Sequence, residues 1–496
     1  MPDVQDLAAR RARLTPAQRA LLDKRLRSGA GAPAEAHEAH VAHEADDAIA
    51  PGAKGEPAPA SFGQRRLWHL AASHPDTLAC NVYYAIGLAG PLDAAALARS
   101  VRAVVARHEA LHTRFDVQGE GLAAIAAPEL LPPWLAEIDL EGLPDAATRD
   151  AAGLRIVTEL ASPSFDLRTG PLLRTALVRA SAGEHSLLLA VHHAVIDGWS
   201  LALFTRDLAE AYEAHAAGRS PSWPAVPLQS ADFSRWQLRR VRQGALDADL
   251  AWWRRHLAGA SPQGITWRTR PRARGGHHAL QLAPELAQAV KALAQRERVT
   301  LFITLLAGLA ALLHCRTGET DLVVGTPVAL RGRPEAAGIL GFLLNLLPLR
   351  ADLSADPTFT DLLQRLRDIF LGALEHREAP FEWLAEELLP GRAPGEIPWI
   401  RVLFNMPSGD AGHAEPLRAG GVELEPLLTG EMGSEHDWTF YARELAGGIR
   451  LDLGYNADLL APGEPGLLLE GFAHLLAEVA VHPGRRLSKL GESLRG

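Results

Sequence analysis

His192 and His193 stand side by side at the end of an apolar run, Ser186-Leu187-Leu188-Leu189-Ala190-Val191, and Ala194-Val195-Ile196-Asp197-Gly198-Trp199-Ser200 follows them. Imidazole titrates nearest neutrality, so a histidine presented to a reacting group can accept or donate a proton at physiological pH. Successive side chains on a strand point to opposite faces. One ring can therefore line a cavity while the other is held in the structure. Asp197 invites a His–Asp dyad, but four residues on and across the Asp197-Gly198 turn it need not face either ring.

A short apolar run ending in a turn dipeptide reads as a buried strand that opens into a loop. Ser200 suits the N-cap of the next helix, whose apolar face is Leu201, Phe204, Leu208 and Tyr212. Upstream, Leu97, Val101, Val104 and Val105 mark a helix that closes at Arg107-His108-Glu109. In the second half, Leu301 to His314 is an apolar helix, Asp321 to Ala329 reads as a strand, and Arg331 follows in a loop. Trp236 to Leu257 is a helical, Arg- and Trp-rich segment, and a domain boundary is expected within it near residue 240. The folded body is thus expected to start at Ser61 and divide into residues 61–240 and 241–496.

Two segments precede it. In residues 1–28, Thr15-Pro16-Ala17-Gln18 has the pattern of a capped helix start, Leu21, Leu22 and Leu26 give a modest apolar stripe, and several arginines make the segment basic. It reads as a helix able to dock an acidic partner or as a solvated tail. Residues 29–60 are rich in Ala, Pro, Gly, Glu and His, and read as a flexible linker. His37, His40 and His43 lack a packed scaffold, and His108 and His112, four apart, lack a nearby third ligand, so no metal site is expected.

The 496-residue chain exceeds what one compact core usually holds. With 47% hydrophobic and 22% charged residues it has a globular composition, and a net charge of −9 argues against general nucleic-acid binding. Two cysteines, Cys80 and Cys315, give no disulfide framework and suit a reducing cytoplasm. No run is long and apolar enough to span a bilayer, and the charged N-terminus does not resemble a signal peptide.

The His-His-x-x-x-Asp-Gly stretch resembles the central motif of the condensation domains of nonribosomal peptide synthetases. A His-x-x-x-Asp pattern also occurs in acyltransferases that use coenzyme A, so the series of motifs carries the assignment. Ser61-Phe62-Gly63-Gln64-Arg65-Arg66-Leu67-Trp68 resembles the family's opening motif, and Arg107 to Phe115 its second. Phe165-Asp166-Leu167, Ala231 to Gln237, Gly341 to Arg350, His376 to Glu382, Val402 to Asn405 and Gly454-Tyr455-Asn456 also fit, in order. Leu346 replaces a usual Thr, Ser230 stands where an aromatic is common, and Ile397-Pro398-Trp399 is a degraded late motif.

The resemblance implies an α/β pseudo-dimer of two chloramphenicol-acetyltransferase-like subdomains arranged as a V, with an active-site tunnel between them. Carrier proteins would insert phosphopantetheine arms from opposite ends. The donor brings an acyl thioester, and the acceptor is on a second carrier protein or is a free small molecule. The enzyme itself would bind no cofactor or metal, and neither nucleic acid nor membrane is an expected partner. The thioester is already activated, so no serine or cysteine nucleophile is required.

His193 is then the residue expected at the nucleophile, as general base or as positioner, and Gly198 a candidate backbone donor to the oxyanion. His192, Asp197 and Arg331 are expected to be structural, Asp197 pairing with Arg331 across the halves. Trp199, Ser200 and Asn345 are expected to meet substrate. The residues around the histidines look like those of domains that accept an L-configured or achiral donor, and heterocyclisation and epimerisation types are disfavoured. The chain looks like a freestanding condensation enzyme forming an amide or an ester. The competing expectations are a coenzyme A-dependent acyltransferase and a degenerate scaffold that recruits carriers or other enzymes.

Overall fold

A strand buried on both of its faces organises the first half of the chain. The computed structural model describes residues 47–53, 55–119, 121–130, 135–265, 275–392, 395–407, 416–445, 448–457, 459–461 and 463–493. The helix expected in residues 1–28, the histidines at 37, 40 and 43, and most of the expected linker lie outside these residues. Residues 51–496 form one compact unit.

In the first half the elements run β1 (Ala58–Pro59), α1 (Phe62–Ser73), β2 (Asn81–Ala89), α2 (Ala94–Arg107), β3 (Thr113–Gln118), β4 (Gly121–Ala126), β5 (Ala136–Asp139), α3 (Ala146–Ala161), β6 (Leu173–Ser181), β7 (Glu184–His192), α4 (Gly198–Ala216) and α5 (Ser230–Arg242). The second half continues with α6 (Asp247–His256), β8 (Gly275–Gln281), α7 (Pro284–Arg296), α8 (Leu301–Thr317), β9 (Asp321–Ala329), β10 (Leu344–Asp352), α9 (Phe359–Glu375), α10 (Phe381–Leu388), β11 (Val402–Asn405), β12 (Leu417–Ala419), β13 (Val422–Glu431), β14 (Trp438–Leu445), β15 (Gly448–Asn456), α11 (Glu464–Val481) and α12 (Leu487–Ser493).

β7 is paired antiparallel with β2 on one side and β6 on the other. Leu187, Leu189 and Val191 join the core beneath α2 and α4, while Leu188 packs with Ile156 and Val157 of α3 on the opposite face. Alternation with both faces covered is what turns an unbroken apolar run into a central strand. Two six-stranded sheets run in the orders β12-β13-β2-β7-β6-β5 and β10-β9-β11-β14-β15-β8, and β1-β4-β3 form a small third sheet.

The halves are not separable at residue 240. β13 leaves the second half and pairs antiparallel with β2 from Glu423↔Ala89 to Glu431↔Val82, so β12 and β13 complete the first half's sheet. Leu340 and Phe342 pack into the first core, and Phe62 packs into the second. The expected 61–240 and 241–496 division is therefore corrected by a strand exchange that local periodicity does not encode.

The expected linker also runs too far. β1 pairs with β4, the Gly52 amide donates to Asp232 Oδ1 at 2.7 Å, and Arg235 donates to the Glu56 carbonyl at 3.2 Å. The chain is already part of the folded body before Ser61. Among the described residues no single helix is long and apolar enough to cross a membrane.

Candidate active site

β7 ends at His192, and His193 opens a single 3-10 turn, His193–Val195, before α4 begins at Gly198. The two rings diverge as expected. His192 is 2% exposed; its Nδ1 accepts from the Ala194 amide at 3.1 Å and its ring meets Phe165 edge-on. Burial, helped by the neighbouring His193, lowers its pKa to about 3 against a small opposing pull from Glu435, so this imidazole is neutral. His192 is packed into the first half's interior and does not line the cavity beside His193.

His193 is the ring that reaches a cavity between the halves, and Phe342 lies edge-on to it at 5.1 Å between centroids. The His193 amide is tied to the Cys80 carbonyl at 2.8 Å, and its Nδ1 lies 2.7 Å from the Ile196 carbonyl. A carbonyl can only accept, so Nδ1 carries a proton, and in the neutral ring the lone pair is then on Nε2. The local fold thus selects the tautomer able to accept a proton from a ligand.

Asp197 forms no dyad with His193. It is fully buried and N-caps α4, accepting from the Ser200 amide at 3.0 Å and the Ser200 hydroxyl at 2.8 Å. Arg331 grips the same carboxylate in a two-pronged contact, Nη1 to Oδ2 at 2.6 Å and Nη2 to Oδ1 at 3.1 Å. Leu343 N–H also donates to Oδ2 at 3.0 Å, and Arg331 reaches the Ile339 and Gly341 carbonyls at 3.1 and 3.2 Å. The pair joins β7–α4 to the segment that carries Phe342, so it sets the cavity wall facing His193.

The residues expected to meet substrate are placed differently from one another. Ser200 is neither the N-cap nor a cavity residue: it is buried three residues into the helix start, with its hydroxyl shared among Asp197, Arg331 and Gly341. Trp199 and Gly198 are exposed at the start of α4 and do not wall this cavity; the Trp199 indole donates to the Ala337 carbonyl at 3.0 Å. Asn345 does border it. Its amide nitrogen, however, holds the Arg377 and Ala379 carbonyls, and its oxygen holds the Leu346 and Phe381 amides, so its polar atoms brace the 377–381 loop. His108 pairs with Asp207 Oδ2 at 2.9 Å and His112 Nδ1 meets the Val105 carbonyl at 2.8 Å, both inside the first half's core.

The cavity contains about 610 Å³ of empty space, its open mouth included. Beyond His193 it holds an ion cluster that sequence reasoning missed. Arg66 donates through Nε to Glu382 Oε1 at 2.9 Å and through Nη1 to Glu435 Oε2, and the Cys80 thiol lies 3.4 Å from Glu435 Oε1. Burial pushes the Glu435 carboxyl up, but Arg66 and the adjacent histidines outweigh it and hold the pKa at about 2. Burial opposes the Arg66 charge, yet Glu435 and Glu382 raise its pKa further.

Glu435 and His436 lie on residues 432–437, which lead from β13 in one sheet to β14 in the other. This connection is pinned by Met432 N–H to the Asn81 carbonyl at 2.9 Å, Ser434 Oγ to the His436 carbonyl at 2.6 Å, and Asp437 N–H to the Arg401 carbonyl at 3.0 Å. The strand exchange thereby carries a carboxylate into the cavity that His193 lines. The available sequence signal was the polar run Ser434-Glu435-His436-Asp437 entering the apolar strand Trp438–Phe440.

A family model for the condensation domain matches residues 55–492. The chain is 37% identical over 446 residues to a linear gramicidin synthase of Brevibacillus parabrevis, covering 88% of this chain but only 6% of that protein. Among solved structures it resembles the X-domain of teicoplanin biosynthesis, in a complex with OxyB, at 29% identity and a TM-score of 0.77 over 89% of this chain and 97% of that one. It also resembles the first condensation domain of the calcium-dependent antibiotic synthetase, in complex with a substrate analogue, at 25% identity and a TM-score of 0.74 over 88% and 98% of the respective chains.

Proposed function

The chain belongs to the condensation-domain family of nonribosomal peptide synthetases, a pseudo-dimer of chloramphenicol-acetyltransferase-like halves whose members form amide bonds in natural-product biosynthesis, and from that premise we propose that it transfers an acyl or aminoacyl group from a carrier-protein thioester to an amine. The donor arrives on phosphopantetheine, and the acceptor comes on a second carrier or free in solution. The observation that carries the reading is His193, whose Nδ1–H is fixed on the Ile196 carbonyl so that Nε2 is the base on a ring lining the cavity between the halves.

The amine nitrogen attacks the thioester carbonyl carbon and a C–N bond forms. Nε2 takes the proton this nitrogen sheds, the tetrahedral intermediate collapses with cleavage of C–S, and the departing thiolate takes a proton to leave as the free thiol. The thioester supplies the activation, so the enzyme contributes orientation and one proton acceptor. No step is routed through Gly198, which does not wall the cavity. A hydroxyl acceptor passes through the same steps to give an ester. The reading holds whether the domain acts alone or within a larger synthetase.

A second reading is recruitment of another protein, favoured by the likeness to the X-domain seen with OxyB. The fixed His193 tautomer supports chemistry over pure recruitment. Mass spectrometry of an acyl-loaded carrier mixed with amines and alcohols tests the choice. An acylated acceptor and a free carrier thiol are expected. Equal product from an acyl-coenzyme A alone would favour a coenzyme A-dependent enzyme, and loaded carrier left intact with every acceptor would favour recruitment.

A further inference from the structure

The charged groups of the cavity do not balance. One guanidinium, Arg66, faces two carboxylates, Glu382 and Glu435, and the neighbouring side chains that can titrate are His193, His436, Cys80 and Tyr441. Among the described residues, Arg66 is the one guanidinium in this lining for the two carboxylates. The two carboxylates are also placed differently. Glu382 sits on α10 beside α1, whereas Glu435 sits on the sheet-to-sheet connection. Glu435 Oε2 is taken by Arg66, but Oε1 has the Cys80 thiol at 3.4 Å, a weak donor that leaves this oxygen with accepting capacity. Cys80 is also the residue whose carbonyl accepts from the His193 amide, so Glu435 Oε1 and the His193 backbone meet the same residue just ahead of β2.

We propose that Glu435 is the specificity determinant for a cationic acceptor: its Oε1 pairs with the substrate's ammonium group in the cavity and holds that nitrogen beside His193. The assignment rests on the amine-acylating reading above. It selects, among the acceptors that reading allows, amines that enter protonated over hydroxyl compounds. A buried carboxylate pairs with such a cation by a charge-assisted hydrogen bond, stronger than a neutral one. The ammonium gives one proton to His193 Nε2 and becomes the nucleophile. After attack the nitrogen's second proton goes to the departing thiolate, and the imidazolium returns its proton to solvent after product leaves. The Glu435 carboxyl is held well below the usual range by its Arg66 partner despite burial, so it is ionised near neutral pH, where the acceptor amine is protonated.

Equilibrium binding separates this proposal from the acyl-transfer reading, because no thioester is needed. The probes are L-alaninamide, which carries the ammonium, and N-acetyl-L-alaninamide, which does not, each titrated by ligand-observed NMR. The wild-type protein is expected to bind the first and not the second, and Glu435→Gln to weaken the first at least tenfold. A wild-type measurement covers the case in which the variant fails to fold. Binding of L-alaninamide should fall as its amine loses its proton above about pH 8. Equal binding of the two probes, no binding of either, unchanged affinity in a folded Glu435→Gln, or tighter binding above that pH would each overturn the proposal while leaving acyl transfer to be judged by its products.

Discussion

Asp197 and His193 are four residues apart and do different work, and the hydrogen bonds separate them. The Asp197–Arg331 pair is wholly buried and two-pronged, so removing one partner strands the other charge. Asp197→Ala is expected to lose about 3–5 kcal/mol of stability, read by urea unfolding. A stable but inactive Asp197→Ala would instead assign it a chemical role. His192 gives a pH signature. Its folded pKa, about 3, lies below the unfolded value near 6.5, so the unfolded chain binds the extra proton between those limits. Stability from this residue is present above about pH 6.5 and falls as the pH drops toward 3. His192→Asn, which keeps an acceptor for the Ala194 amide, is expected to flatten the decline between pH 6 and 4.5 in urea-unfolding midpoints. A wild-type slope retained in the variant would assign the decline to other groups, among them the half-buried His256, whose pKa is also lowered. At this scale the sequence anticipated that the two rings part, one buried and one at a cavity, because side chains alternate along a strand. Ser200 was misread as the cap because Asp and Ser cap equally well and the chain uses Asp197.

Periodicity located most elements. The expected strand Asp321–Ala329 is β9, and Leu97, Val101, Val104 and Val105 are all buried on α2. Trp236–Leu257, read as one helical segment, is broken at Gly244, whose φ of 71° separates α5 from α6. The strand exchange was not legible, since nothing in the alternation of β13 names β2 as its partner. Glu435 and His436 were missed for the same reason: their position follows from where β13 goes. Gly433 tests this link. A Cβ there would lie 2.9 Å from the Ala79 Cα and amide nitrogen, backbone that cannot step aside. Gly433→Ala is expected to cost about 1–3 kcal/mol and to slow acyl transfer by displacing residues 432–437. Gly198→Ala, where nothing lies within 4 Å of the added carbon, is expected to leave stability within about 0.5 kcal/mol. Urea unfolding and single-turnover rates on both variants check the pair; a neutral Gly433→Ala would mean that the connection tolerates displacement.

The whole molecule brings two sheets together around one cavity, with an exchanged hairpin and the Asp197–Arg331 pair fixing the halves. The motif series made the pseudo-dimer legible, because it runs in order through both halves. Residues 1–28 belong to this scale, as a basic segment ahead of the folded body. If they dock an acidic carrier, deleting residues 1–46 raises KM for the loaded carrier at low salt and leaves turnover at saturation unchanged. Steady-state kinetics at two salt concentrations check this, and an unchanged KM at low salt would leave the segment a solvated tail. The central claim concerns the proton acceptor in the cavity. Its most direct test is the single-turnover rate of acyl transfer from a loaded carrier to an amine, followed by intact-protein mass spectrometry in the wild type and in His193→Ala at matched thermal stability. The expected result is a loss of ~10²–10⁴-fold in the variant with the fold unchanged; transfer at a near-normal rate in a folded His193→Ala would contradict the account.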